Sequence, residues 1–277
     1  MMNRRNILRV AAIMVLGLAV IPGSAIAQQE MLKQQPTATP MPEARQALAP
    51  SGKLRVGVYP GSPYSMVRDP ASGEIKGIAV ELGNALAARL DVPYQQVEFG
   101  RPAEIYEALK AGQIDITIVN QTPARAEQFG WSPPLMLIEL GFLAAAGLPV
   151  TTAADVDRPG VRVGVTQGGT MNGVLAHELK NASVVPAATL KNGIEMLAQH
   201  KIDAYATNKA NLFEMSDALP GSRVLDGRWG LEHLAMAIPK GREAGLAYVR
   251  RFVEDAKSEG LVARAAARVG LRGVATE

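Results

Sequence analysis

The sequence predicts an α/β protein of two lobes joined by two crossing strands. Three observations carry that expectation. From residue 51 onward, apolar runs of strand length alternate with amphipathic stretches of helix length. Two short motifs recur in the same order. Arg55-Val-Gly-Val58 precedes LKAGQIDITIVN at 109–120, and Arg162-Val-Gly-Val165 precedes LAQHKIDAYATN at 197–208. The longer pair shares its Leu, Ile-Asp and closing Asn without gaps, so two units of one plan are expected to face one cleft. Third, an apolar strand at 114–119 reaches the polar tip Asn120-Gln121 and turns into a helix start. Thr122 stands there as N-cap, Pro123 at the first helical position and Arg125 one turn in.

With 277 residues, 48% hydrophobic and 20% charged, the chain can bury a sizeable core in one or two domains. Arg4, Arg5 and Arg9 precede an apolar run at 10–21 and the triplet Ala25-Ile26-Ala27. That order predicts a secretory signal peptide over 1–27, and the run is too short to span a bilayer. The chain has 29 basic and 26 acidic residues; without the three arginines of the signal, 26 face 26 and the net charge of +3 falls to zero. No field of one sign then points to a nucleic-acid partner or a membrane surface. The absence of cysteine excludes disulfides, thiol nucleophiles and thiol lipidation. The expectation is an exported protein of a bacterial periplasm.

Residues 28–50, rich in Gln, Pro, Thr and Ala, read as a disordered leader with helical tendency near 43–48. The fold is expected to begin at Ser51. A strand at 54–59 leads into the loop Pro60-Gly61-Ser62-Pro63 and a turn at 69–73. Ile78, Leu82, Ala85, Leu86 and Leu90 mark a helix over 78–90. A strand at 94–99, a helix at 103–111 and the strand at 114–119 follow, with parallel pairing and right-handed crossovers. The apolar run 140–145 is taken as the first crossing. The second unit holds strands at 161–166, 183–186 and 202–207 and helices at 171–180, 190–199 and 209–216. The run 234–238, ending at Pro239-Lys240-Gly241, is the second crossing, and helices at 243–258 and 261–269 return to the first lobe. Lobe 1 is thus 51–144 with 236–277, and lobe 2 is 145–235. A lobe interrupted by another, with two connections, suits hinge closure over a ligand.

A strand end meeting a helix N-terminus offers free N–H groups and the positive end of a dipole. The fork of Arg125 adds a bidentate donor for a carboxylate, the alternative being a surface arginine paired with Glu127 or Glu139. Thr166-Gln167-Gly168-Gly169-Thr170 forms a second candidate anion site: its glycines permit close backbone approach and Thr170 opens a helix. It lacks the Gly-Lys-Ser/Thr ending of a phosphate loop, and no G-x-G-x-x-G is present. Tyr59, Tyr64 and Trp131 are candidate walls for an apolar ligand part, with core packing the alternative for each. Asn120 and Asn208 end equivalent strands and offer amide hydrogen bonds or ordinary turn chemistry. Arg101 faces the cleft or the surface. His177, His200 and His233 lie far apart without metal-ligand spacing, and there is no G-x-S-x-G. Glu81 and Asp115 are acids near lobe edges, but Asp115 begins its strand, away from the end where α/β ligands bind. No catalytic set, cofactor or metal is expected.

The stretches GKLRVGVYPGSPY (52–64), GEIKGIAVELGNALAARL (73–90), LKAGQIDITIVNQTPARAEQFGWSPPL (109–135), VRVGVTQGGT (161–170) and KIDAYATN (201–208) together resemble the family 3 bacterial solute-binding proteins, periplasmic receptors of polar amino acid ABC importers. The resemblance implies the type II periplasmic-binding-protein fold and closure on a small solute. It implies a monomer whose partners are a small anionic solute and the membrane permease of an ABC importer. In that family the arginine of T-x-x-R grips the ligand carboxylate, which falls on Arg125, helped by the threonine after the glycine turn, which falls on Thr170. The family's ammonium-holding acid falls on Asn208, followed by Lys209, and its stacking aromatic falls on Gly61. The segment between Asp115 and Thr122 is also shorter than usual. The resemblance therefore implies a retained anion half and a missing ammonium half. The ligand expected is a carboxylate without a conventional α-ammonium, or an amino acid held differently. Two rivals stay open: a periplasmic dehydratase of the cyclohexadienyl type, which needs a cleft acid, and an accessory or sensor subunit of a periplasmic oxidoreductase.

Overall fold

The structure, a computed structural model, describes residues 41–69, 71–168 and 170–275. In chain order the strands are β1 (Leu54–Val58), β2 (Val67–Arg68), β3 (Ile75–Lys76), β4 (Tyr94–Glu98), β5 (Ile116–Asn120), β6 (Phe129–Trp131), β7 (Met136–Ala144), β8 (Arg162–Thr166), β9 (Ser183–Ala187), β10 (Ala204–Asn208), β11 (Arg223–Val224) and β12 (Gly230–Pro239). The helices are α1 (Met41–Leu48), α2 (Ile78–Leu90), α3 (Pro102–Lys110), α4 (Pro123–Ala126), α5 (Thr170–Glu178), α6 (Leu190–Ala198), α7 (Lys209–Ala218), α8 (Glu243–Ser258) and α9 (Leu261–Arg268).

The motif echo has a structural cause. In each unit the arginine stands at the start of a strand, first in β8 and second in β1, and clasps the Ile-Asp aspartate with its backbone N–H, Nε and one terminal nitrogen. For Arg55 and Asp115 the three distances are 3.0, 2.8 and 2.8 Å. For Arg162 and Asp203 they are 2.8, 2.9 and 2.8 Å. The same guanidinium reaches the carbonyl of Gly112 or of His200, and both residues have positive φ. The intervening glycines, Gly57 and Gly164, let an isoleucine lie on the strand: a Cβ on either would fall 2.4 Å from Cδ1 of Ile114 or Ile202. The echo is thus one clasp built twice, once per lobe.

The ten-stranded sheet runs β4-β1-β5-β12-β7-β10-β8-β9, with β6 on β12 and β11 on β7. The pairs β4-β1-β5 and β10-β8-β9 are parallel, as strands joined by helical crossovers must be. Between them, β7 and β12 pair antiparallel over Met136–Leu140 and Gly230–Leu234. These two are the crossing strands. They run nine and ten residues rather than the short apolar runs expected, because each serves both lobes. One hydrophobic core, with Leu54, Val56, Leu82, Leu86, Ile105 and Phe252, lies in the first lobe. Two smaller ones flank the second sheet, around Phe142, Val163 and Leu175, and around Leu197, Tyr205 and Leu212.

One expectation needs correction, and two features were not foreseen. Residues 41–48, assigned to a disordered leader, form α1, with Ala44 and Leu48 fully buried in the first core. Gly245 of α8 gives way to it, since a Cβ there would lie 2.9 Å from Leu48 Cδ2. The helical tendency expected near 43–48 is a formed helix that starts two residues earlier; residues 1–40, with the expected signal peptide, lie outside the described residues. The helix that starts at Pro123 is a single turn. Beyond α9, residues 271–275 run back along β7, where Glu139 N–H donates to Gly273 O and Ala275 N–H to Leu137 O, both at 2.9 Å. Among the described residues no helix is long and apolar enough to cross a membrane.

Candidate functional site

A cavity of about 590 Å³ opens between the lobes. Tyr59, Tyr64, Tyr106, Asn120 and Arg125 line it from the first lobe, and Thr166, Met171, Leu190, Ile194 and Asn211 from the second. Glu232, on the crossing strand β12, lines it as well.

Arg125 sits where the strand tip turns. Its guanidinium carbon lies 3.9 Å from the centroid of the Tyr106 ring. Such stacking fixes the plane of the fork. The loop is held from behind, where Trp131 Nε1–H donates to the Arg125 carbonyl at 3.2 Å. Trp131 is buried against Phe129 and does not line the cavity, so it supports the arginine rather than walling the ligand. Thr122 occupies the cap position, but its side chain makes no cap hydrogen bond and does not line the cavity. With only one turn behind it, α4 brings little dipole, so the anion-binding capacity rests on the guanidinium. Of the two surface partners considered, Glu139 pairs with Lys209 at 2.7 Å and Arg228 at 3.2 Å.

Asn120 closes β5 at the cavity wall. Its Oδ1 accepts from His233 N–H at 3.1 Å, which leaves the amide nitrogen for a ligand. Tyr59 and Tyr64 are both wall and core: they are 2% and 5% exposed and hydrogen-bond through their hydroxyls. Burial raises both phenols above their ordinary range, so both stay neutral. Gly61, where the resemblance implies an aromatic, has φ +83° and lines the cavity opposite Leu190 Cδ1.

The second candidate turn is only partly at the site. Thr166 lines the cavity and its hydroxyl meets that of Tyr205 at 2.7 Å. Gly168 has φ +71°, and a Cβ there would lie 3.2 Å from Ala103 Cβ of the other lobe. It therefore marks a close approach of the lobes, not a cavity wall. Gly169 and the Thr170 side chain lie outside the described residues; Thr170 opens α5 as expected.

Asn208 is not a ligand contact. It is fully buried and N-caps α7, its Oδ1 accepting from Asn211 N–H at 3.0 Å. Its Nδ2 donates to Glu232 Oε2 at 2.6 Å and to Tyr64 Oη at 3.4 Å. Glu232 is the residue that sequence reasoning missed. It is 7% exposed, and its carboxyl is pushed up to about 7, chiefly by burial, against the hydrogen bond from Asn208 and the charge of Arg125. The available signal was its parity with Leu234, Met236 and Ile238, all buried on β12.

The remaining candidates are structural or superficial. Asp115 is wholly buried between Arg55 and Arg242. Glu81 pairs with Arg268 on the first lobe. Arg101 lines the cavity mouth and pairs with Glu104 at 3.1 Å. Among the described residues no group of His, Asp or Glu is placed to hold a metal ion.

A model of the bacterial extracellular solute-binding proteins, family 3, matches residues 54–270. Among curated relatives, the membrane-bound lytic murein transglycosylase F of Shewanella sp. (strain MR-4) is 35% identical over 99 residues, which are 35% of this chain and 20% of that protein. The match thus spans about a fifth of the relative's length. Solved structures cover far more of the chain. The ancestral amino acid-binding protein AncCDT-1, a precursor of cyclohexadienyl dehydratase, superposes with TM-score 0.71 at 23% identity, over 81% of this chain and 98% of that one. The solute receptor for L-cysteine of Neisseria gonorrhoeae gives 0.72 at 24% identity, over 81% and 92%. An amino acid ABC transporter substrate-binding protein of Streptococcus pneumoniae bound to L-arginine gives 0.72 at 18%, over 83% and 99%. At these identities the likeness is one of fold.

Proposed function

This chain belongs to the bacterial extracellular solute-binding proteins, family 3, and we propose that it is an exported receptor whose lobes close on a small carboxylate-bearing solute for delivery to an ABC importer. The observation that supports this most is the guanidinium of Arg125, stacked on Tyr106 at the wall of a cavity shared by both lobes. A bidentate arginine–carboxylate contact in such a place contributes about 1.5–3 kcal/mol, enough to orient a small anion. The solute bridges the first lobe to Thr166 and the α5 turn, and closure follows from its preference for the closed form.

Native mass spectrometry of freshly purified protein identifies the co-purifying solute. Titration calorimetry of Arg125→Ala against that solute tests the site: affinity falls at least tenfold while the melting temperature of the free protein stays within about a degree. Full affinity in the variant removes Arg125 from the site. A dehydratase on the same fold is the second reading, and the observation favouring it is the buried acid Glu232 at the cavity. Turnover of prephenate would replace the receptor reading with that one.

A further inference from the structure

We infer that the gap between Gly61 and α6 is a subsite for a bulky apolar group, so that the carboxylate received by Arg125 is carried on an aromatic or branched hydrocarbon body. The inference rests on the receptor reading and narrows its ligand class.

Away from Arg125 much of the cavity wall is hydrocarbon. Leu190 and Ile194 stand one turn apart on α6 and share a face, and both line the cavity. Gly193 sets how that helix lies. A Cβ there would fall 2.4 Å from the Tyr205 ring, so α6 sits directly on β10. Met171 of α5 and Met215 of α7 continue the wall, and Val67 lines the cavity from the first lobe. Val67, Leu190 and Ile194 are only half-buried although they lie in a cleft. Apolar side chains left part-wet on a concave wall are the surface that a ligand removes from water.

Gly61 makes the room. It has φ +83°, a backbone conformation that glycine holds without strain. A Cβ built on it would have one neighbour within 4 Å, Leu190 Cδ1 at 3.9 Å. The loop after β1 therefore puts no side chain into the gap facing α6. A short polar solute held by Arg125 would leave this wall wet, whereas a ring or a branched chain covers it. The two methionines, unbranched and polarizable, fit either shape. The other cations of the lining do not call for a second charge on the solute: Arg101 pairs with Glu104, and Arg68 and Lys191 are exposed, where water serves their charge.

The test titrates the full chain by calorimetry with five matched probes. Propanoate and 3-phenylpropanoate share a carboxylate and differ by one ring. L-Alanine and L-phenylalanine repeat the comparison with an α-amine present. Pentanedioate puts a second carboxylate where the ring would lie. In each pair that binds, the ring-bearing member is expected to bind about tenfold more tightly or better, and more tightly than pentanedioate. In Leu190→Trp, which fills the gap from α6, that preference is expected to fall roughly fivefold or more. A purely structural role for Leu190 would weaken both members alike and leave their ratio unchanged. Equal affinities within the pairs, tightest binding by pentanedioate, or an unchanged ratio in Leu190→Trp overturns the apolar subsite and leaves the receptor reading intact. The wild-type comparison decides alone should the variant fail to fold. Binding by none of the five probes overturns both readings.

Discussion

Glu232 shows how a single residue ties site and stability together. Arg125 from α4, Tyr59 and Tyr64 from the loop after β1, Tyr106 from α3 and Asn208 from β10 surround it, and the Lys209–Glu139 pair lies across β7. Its carboxyl ionises near 7 in the fold, against an ordinary 4.5. The native state therefore binds the proton more tightly than the unfolded chain does. Stability from this group is full below pH 4.5, is lost as pH rises toward 7 and stays lost above; 2.5 units correspond to about 3 kcal/mol. Denaturant titrations at pH 5 and pH 8 should show that loss in wild type and a smaller one in Glu232→Gln. The T-x-x-R pattern made Arg125 legible in the sequence. Glu232 was not legible, because a lone acid in an apolar run shows its direction only once the strand register is known.

At the scale of elements, the duplicated motif was legible in the sequence, and the clasp it builds and that clasp's strength were not. Asp115 is fully buried and held by two arginines, Arg55 at 2.8 Å and Arg242 at 2.9 Å. Among the described residues Asp203 has one ion-pair partner, Arg162, and keeps 24% of its side-chain surface. Removing one partner of a buried network strands the other charges, whereas a half-exposed pair is screened by water. Asp115→Asn should cost about 3 kcal/mol or more and Asp203→Asn about 1 kcal/mol, read by urea titration. Equal losses would mean that Arg242 adds nothing. Helices α2 and α8 match the sequence expectation to the residue, because long amphipathic periods are self-evident. The two-residue strands escaped it, as did the shortness of α4 and the burial of α1, since each is set by tertiary contacts rather than by local pattern.

For the whole molecule, the crossing strands are not the sole tie between the halves. After α9, packed on the first core through Val262 and Ala265, the chain turns back over β7. Arg272 then reaches Glu214 and Asp217 on α7 and stacks over Phe213 at 4.8 Å. Glu214 also lines the cavity, so this strap ends beside it. A strap that joins lobe 1 to lobe 2 favours the arrangement in which it forms before any solute arrives, and a more populated competent state raises apparent affinity. The ion pairs are partly exposed, 39% at the Arg272 side chain, so the gain is modest. Arg272→Ala should weaken solute binding up to about fivefold, the equivalent of roughly 1 kcal/mol. Small-angle scattering of the free variant should show a larger radius of gyration than wild type, with the two converging at saturating solute. If the free forms scatter alike while affinity falls, Arg272 acts through Glu214 in the cavity and not through the hinge. The signature to look for is thus expansion before binding, a property no local pattern in the sequence announces, because it depends on two segments some 55 positions apart meeting across the cleft.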